Sequence, residues 1–260
     1  MLCGDVLKVS SKLTIWFVIS TRYFANPTPF IEFIMIKFLL QESKLPLYYL
    51  QFHLKRKRFI ESRDTHPKKP IMVVPGMWTS DAYTTGLRSA LELTGADVHG
   101  WGLGKNHADI KKLVPLLIEK VRALSTQSEP VTMIGWSLGG ILSREVARQI
   151  PEHVRAVCCI GSPILGGPKY TIYSGYYERL GFDMEAVAQR AEKREEVPLS
   201  VPCHAIYSKN DGVVDWEASM DKYNAHTTHA EVKTPHFSMG YSVEVYQEIL
   251  RWLGEIYDEK

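Results

Sequence analysis

Long apolar runs, clustered cysteines and phosphate-binding glycine signatures are all missing from this chain of 260 residues. Leu13-Thr14-Ile15-Trp16-Phe17-Val18-Ile19 is too short to cross a bilayer, and Arg22, Asn26, Pro27 and Pro29 interrupt any continuation toward Phe30 to Leu40. Lys8 and Lys12 supply a charged start, but no clear small-residue cleavage site follows, so a signal peptide is not expected. Cys3, Cys158, Cys159 and Cys203 have no metal-type spacing. No metal site is expected, and the thiols are expected to be free and mostly buried, in keeping with a reducing, cytoplasmic setting. Gly100-Trp101-Gly102-Leu103-Gly104-Lys105-Asn106 fits neither G-x-G-x-x-G nor the P-loop, which needs Ser or Thr after Gly-Lys. No nucleotide cofactor is expected, and with a net charge of only +2 no nucleic-acid partner either.

What is present is an ordinary globular composition, 45% hydrophobic and 23% charged, on a length that suits one well-packed domain with a short appendage. Charge is unevenly spread. Residues 1–69 carry 12 Lys/Arg against five Asp/Glu, a net +7, leaving −5 for the remainder. They are read as a helical, basic appendage packed on the core of a domain spanning 70–260. Phe30 to Leu40, Leu47 to Leu54 and the run Lys55-Arg56-Lys57-Arg58 admit a second reading, peripheral contact with an anionic membrane surface.

From residue 70 onward, short β-rich apolar runs alternate with helical patterns, which predicts an α/β fold with a mostly parallel sheet and helices on both faces. The strands are read at Ile71 to Val74, Asp97 to Trp101, Val131 to Ile134, Val154 to Ile160, Cys203 to Tyr207 and Ala230 to Thr234. Helices are read at Ser80 to Leu93, Ala108 to Leu124, Gly139 to Gln149 and around Tyr246 to Ile256, the second kinked or shortened by Pro115. Adjacent Cys158 and Cys159 fall in one strand and should point to opposite faces. Gly166 to Pro198 is longer than a connection needs to be and reads as a lid-like insertion. Its Tyr170, Tyr173, Tyr176, Tyr177 and Phe182 are suited to lining an acyl pocket, and Glu192 to Glu196 reads as a solvated helix face.

Chemistry concentrates at Gly135-Trp136-Ser137-Leu138-Gly139, a G-x-S-x-G directly after the apolar run Val131 to Ile134. The glycines allow the sharp strand-to-helix turn that lifts a serine hydroxyl above a sheet, so Ser137 is the candidate nucleophile. The helix that follows turns its first free N–H groups, that of Leu138 among them, toward an oxyanion. A serine nucleophile needs a base and an acid that holds the base in one tautomer. His226, His229 and His236 follow a plausible acid, and His236 alone lies just beyond the last strand. Asp211, in the turn Ser208-Lys209-Asn210-Asp211-Gly212, is the candidate acid, with Asp215 as its rival. Val73-Val74-Pro75-Gly76-Met77 ends a strand and turns sharply, placing the Met77 N–H as the second oxyanion donor.

From about Pro70 to Leu253 the chain resembles the lipase and esterase branch of the α/β-hydrolase superfamily. Pro75-Gly76-Met77 looks like its oxyanion loop, Gly135 to Gly139 its elbow, Gly161-Ser162-Pro163 the turn after the next strand, Asp211-Gly212-Val213-Val214 its acid turn, and His236 to Gly240 its histidine loop. Trp136 departs from the histidine many relatives have before the serine. The resemblance implies a serine hydrolase cleaving small-molecule or lipid carboxylic esters through an acyl-enzyme. An acyltransferase, a thioesterase or amidase with the same triad, and a hydrolase-fold ligand binder with little turnover, are the alternatives.

Overall fold

A computed structural model describes residues 45–60, 69–125 and 129–258. Cys3, the apolar runs at 13–19 and 30–40, and the charged start lie outside the described residues. Helix α1 (Leu45–Ile60) is followed by β1 (Pro70–Val74), α2 (Asp81–Glu92), β2 (Asp97–Gly100), α3 (Ile110–Leu124), β3 (Val131–Trp136), α4 (Leu138–Gln149) and β4 (Val154–Ile160). An excursion carrying α5 (Ser174–Arg179) and α6 (Met184–Glu195) precedes β5 (Cys203–Ser208), β6 (Thr227–Val232) and α7 (Val243–Asp258). Among the described residues no helix is long and apolar enough to cross a membrane.

All six strands run parallel in the order β2-β1-β3-β4-β5-β6. β1 and β3 are buried along their whole length, which explains why each reads as an uninterrupted apolar run. Alternation along the strands feeds two cores. Ile71 and Val73 pack with Leu91, Tyr246 and Trp252 on one face, and Met72 and Val74 with Val114, Leu117, Leu142 and Val146 on the other. Cys158 faces the first core and Cys159 the second, as alternation requires, and both, with Cys203, are free and buried. Because β1 and β3 are neighbours whose connections leave in opposite directions, a crevice opens at their carboxyl ends, where both the Pro75 turn and the Gly135 elbow lie.

Three expectations are corrected. β6 spans Thr227–Val232 rather than Ala230 to Thr234, so His229 sits inside the strand and pairs with Ala205 instead of opening it. At the sheet edge Thr228 and His229 are exposed, so the start of the strand has no apolar signature. α3 begins at Ile110, where the Asp109 carboxylate accepts the Lys112 N–H, and it runs on through Pro115. The proline is on the exposed side, so the Lys111 carbonyl it leaves unbonded is open to water. Glu192 to Glu196 is not a uniformly solvated face, for Glu195 is fully buried and paired with Arg144 and Arg148. α4 carries Arg144 into the core, where Asp221 also reaches it at 2.8 Å, and a cation there without carboxylates would cost several kcal/mol.

Helix α1 packs one side on the molecule, with Leu45 and Phe52 in the first core and the Tyr49 ring 5.1 Å from that of Tyr241. The other side exposes Leu47, Leu50 and Leu54 at 53%, 55% and 73%.

Candidate active site

At the end of β3 the chain must reverse into α4 within one residue. Ser137 takes that turn with φ 56° and ψ −122°, a positive φ that a side chain tolerates only under constraint. The constraint is steric. A Cβ on Gly135 would collide with the backbone of Gly139 and Gly140, and one on Gly139 would collide with the Val74 carbonyl oxygen of β1. The G-x-S-x-G spacing therefore reflects two close backbone approaches, helix to strand and helix to neighbouring strand. The Ser137 N–H donates to the Ile160 carbonyl at 2.8 Å, tying the elbow to the end of β4.

The residue after Ile160 brings the other partners in. Gly161 has φ 53°, and a Cβ on it would stand 3.1 Å from Asp211 Oδ2 and 3.1 Å from His236 Nδ1. Ile160-Gly161 thus touches Ser137 through its carbonyl and the Asp–His pair through its missing side chain. Asp211 Oδ2 lies 2.7 Å from His236 Nδ1, with both side chains almost wholly buried. The other carboxylate oxygen, Oδ1, accepts the N–H groups of Val213 and Val214, both at 2.8 Å. A carboxylate can only accept, so Nδ1 carries the proton of the imidazole and Nε2 is left with a lone pair.

The rivals are engaged elsewhere. Asp215 caps the short helix Trp216–Ser219, accepting the Glu217 N–H at 3.1 Å. His229 Nε2 accepts the Asp221 N–H at 3.0 Å, and His226 is exposed. His204 is buried against Thr228 and Trp252, and burial holds its pKa below the usual histidine range despite nearby Glu248.

The Pro75 turn packs beside the elbow, since a Cβ on Gly76 would be 3.2 Å from the Ser137 Cβ. Gly76 accepts from the Thr79 N–H at 3.2 Å and the Thr79 hydroxyl at 2.8 Å, closing a turn with Met77 at its first corner. Leu138 is the first residue of α4, so its N–H has no acceptor within the helix.

Around these residues lie a support for the histidine loop that had no local sequence signal and the insertion that the sequence did indicate. The Trp136 ring stacks on Tyr83 with centroids 4.7 Å apart and lies 5.5 Å from the His236 ring, while the Tyr83 hydroxyl donates to the Phe237 carbonyl at 3.0 Å. The residue standing where histidine was the alternative therefore supports the histidine loop. The first part of the insertion, in turn, is tied to the acid turn and to the Pro75 turn. Thr171 bridges Val214, Ile172 N–H donates to Val213 O at 2.9 Å, and Asp215 N–H donates to Tyr170 O at 2.9 Å. From α5, the Tyr177 hydroxyl donates to Met77 Sδ at 3.3 Å, and Tyr176 meets Trp78 edge to face. Burial raises the phenol pKa values of Tyr173 and Tyr177, and so does each one's neighbour: Tyr177 and Asp211 beside Tyr173, Tyr176 beside Tyr177. Tyr170 and Phe182 are more open than expected for pocket linings, at 39% and 50% exposed. No cluster of metal-ligating side chains occurs among the described residues.

Compared with protein-family models and with curated proteins, the chain matches none. Solved structures do align with it over most of their length. Naproxen esterase from Bacillus subtilis aligns at 12% identity and TM-score 0.55, over 80% of this chain and 97% of that one. An alpha/beta superfamily hydrolase from Oenococcus oeni aligns at 14% and 0.54, over 73% and 93%. Monoacylglycerol lipase from Paleococcus ferrophilus aligns at 16% and 0.55, over 73% and 97%. The chain has the α/β-hydrolase fold.

Proposed function

We propose that the protein is a serine hydrolase that cleaves carboxylic esters. The observation that carries the reading is the buried Asp211–His236 hydrogen bond, set by Gly161 against the same β4 terminus that holds the strained Ser137. In this reading His236 Nε2 takes the Ser137 proton as Oγ attacks the ester carbonyl, and Asp211 stabilises the imidazolium. The N–H groups of Met77 and Leu138 receive the developing oxyanion. Collapse expels the alcohol with the proton from His236, and water then repeats the sequence on the acyl-enzyme to release the acid. Tyr173, Tyr177 and the rest of the insertion support a covered, largely apolar acyl site, and the esterases and lipases with this fold support an ester as substrate. A fluorophosphonate probe should label the wild-type protein and not Ser137→Ala, and p-nitrophenyl esters of graded chain length should turn over many times per molecule. Labelling without multiple turnover would favour a ligand-binding protein instead.

The substrate side of the reading extends to a surface. Leu47, Leu50 and Leu54 recur at helical spacing on the exposed side of α1, and Lys55-Arg56-Lys57-Arg58 continues the same helix. That combination suits an anionic bilayer, with leucines entering the acyl boundary. α1 packs against the 236–241 segment, which would bring the site to the lipid.

A further inference from the structure

The glycine-rich turn after β2 binds no nucleotide in our reading, yet it buries one polar side chain completely. Asn106 has no exposed surface, whereas Gly102, Gly104, Lys105 and His107 around it are open. Every hydrogen bond it makes outside its own turn goes to the Pro75–Thr79 segment. Its Nδ2 donates to the Pro75 carbonyl at 2.9 Å, its backbone N–H to the Thr79 carbonyl at 2.8 Å, and its carbonyl accepts the Trp78 N–H at 2.7 Å. The remaining group, Oδ1, accepts the Ala108 N–H at 3.1 Å. Trp78 and Ala108 both take φ 64°, a conformation that needs such over-determination to persist.

A peptide unit is planar and trans, so fixing its carbonyl fixes its N–H in the opposite direction. Thr79 fixes the carbonyl of the Gly76–Met77 unit, and Asn106 fixes the carbonyl of the unit before it and both residues after it. Resting on the serine-hydrolase reading, we infer that Asn106, with Thr79, is the positioning residue that aims the Met77 N–H at the oxyanion. The turn is anchored separately by Asp81, whose carboxylate accepts the N–H groups of Trp101 at 3.0 Å and Gly102 at 2.9 Å, neither bond involving the Pro75–Thr79 segment. That second anchor supplies the control.

The test measures kcat and KM on a soluble p-nitrophenyl ester, the rate of phosphonylation by a fluorophosphonate, and the thermal midpoint, for Asn106→Leu, Thr79→Val and Asp81→Asn in the full chain. A misaimed donor loses transition-state stabilisation that the ground state never had, so Asn106→Leu should lower kcat and phosphonylation by about 10²-fold with KM little changed. Thr79→Val, which removes one part-buried hydroxyl bond and keeps the backbone N–H bond to Gly76, should lower both by about 10-fold. Asp81→Asn should lower the thermal midpoint and spare kcat. Wild-type kcat in Thr79→Val or Asn106→Leu would overturn the inference, as would losses of kcat that follow the thermal midpoint equally in all three. If Asn106→Leu does not fold, Thr79→Val decides. Absence of labelling and turnover in the wild type would instead overturn the hydrolase reading itself, and the inference with it.

Discussion

Around Ser137 the candidate site is made of backbone, whereas around His236 it is made of side chains. The elbow and the Pro75 turn owe their shape to positive φ values and to glycines pressed against neighbouring carbonyls. The Asp211–His236 pair owes its geometry to three hydrogen-bonding atoms of two buried side chains and to two N–H groups. The two halves should therefore fail differently. Added bulk at the glycines of the first disturbs folding and chemistry together, while a change in the second leaves the molecule intact and removes only proton transfer.

The largest test crosses both halves. Ser137→Ala keeps the elbow, because alanine accepts the same backbone, and should cost about 10⁶ in kcat at an unchanged thermal midpoint. Retention of a tenth of the activity would remove Ser137 from its role. Within the side-chain half, Asp211→Asn should cost about 10⁴ in kcat, since it loses the acceptor that sets the imidazole tautomer. Asp215→Asn should be mild, because asparagine can still cap the Trp216–Ser219 helix. The reverse ranking would break the assignment of the acid.

The backbone half is sharpened by Gly139→Ala, whose Cβ meets the Val74 carbonyl. It should destabilise the fold by about 1–3 kcal/mol, read by denaturant unfolding, and lower activity in step. A stable, inactive Gly139→Ala would show that the two halves differ less than argued. The smallest effect lies outside both. Replacing Lys55, Arg56, Lys57 and Arg58 with glutamine should weaken co-sedimentation with anionic vesicles by up to ~1 kcal/mol per charge, reversibly with salt, and leave hydrolysis of a soluble ester unchanged. Wild-type protein wholly in the supernatant at low salt would end the surface reading.

The same division explains what was legible in the sequence. Ser137, Gly135 and Gly139 are readable because close backbone approach admits only glycine at fixed spacing, and β1 and β3 because strands covered on both faces need apolar residues throughout. Asp211 and His236 follow from turn position after β5 and β6. β6 itself was misplaced because an edge strand spends Thr228 and His229 on solvent. The burial of Glu195 was illegible since its partner Arg144 lies 51 positions away, and local charge density at Glu192 to Glu196 points the other way. Asn106 and Tyr83 act through contacts to Pro75 and Phe237 that no local pattern announces.

That ion pair has a consequence for how such a molecule can be re-engineered or can diverge. Residues 166–198 have the outward form of an exchangeable module, spliced between two strands and bearing exposed Leu180 and Phe182 at its tip. Their far end nevertheless neutralises a charge planted one turn and a half along the helix that begins at the elbow. A chimaera that swaps in another segment inherits Arg144 with Asp221 as its main counter-charge, and should fold poorly until position 144 is changed as well. Sequence variation in this segment is thus coupled to the helix that follows Ser137. Paired substitutions at 144 and 195 are the unit in which the segment can be traded.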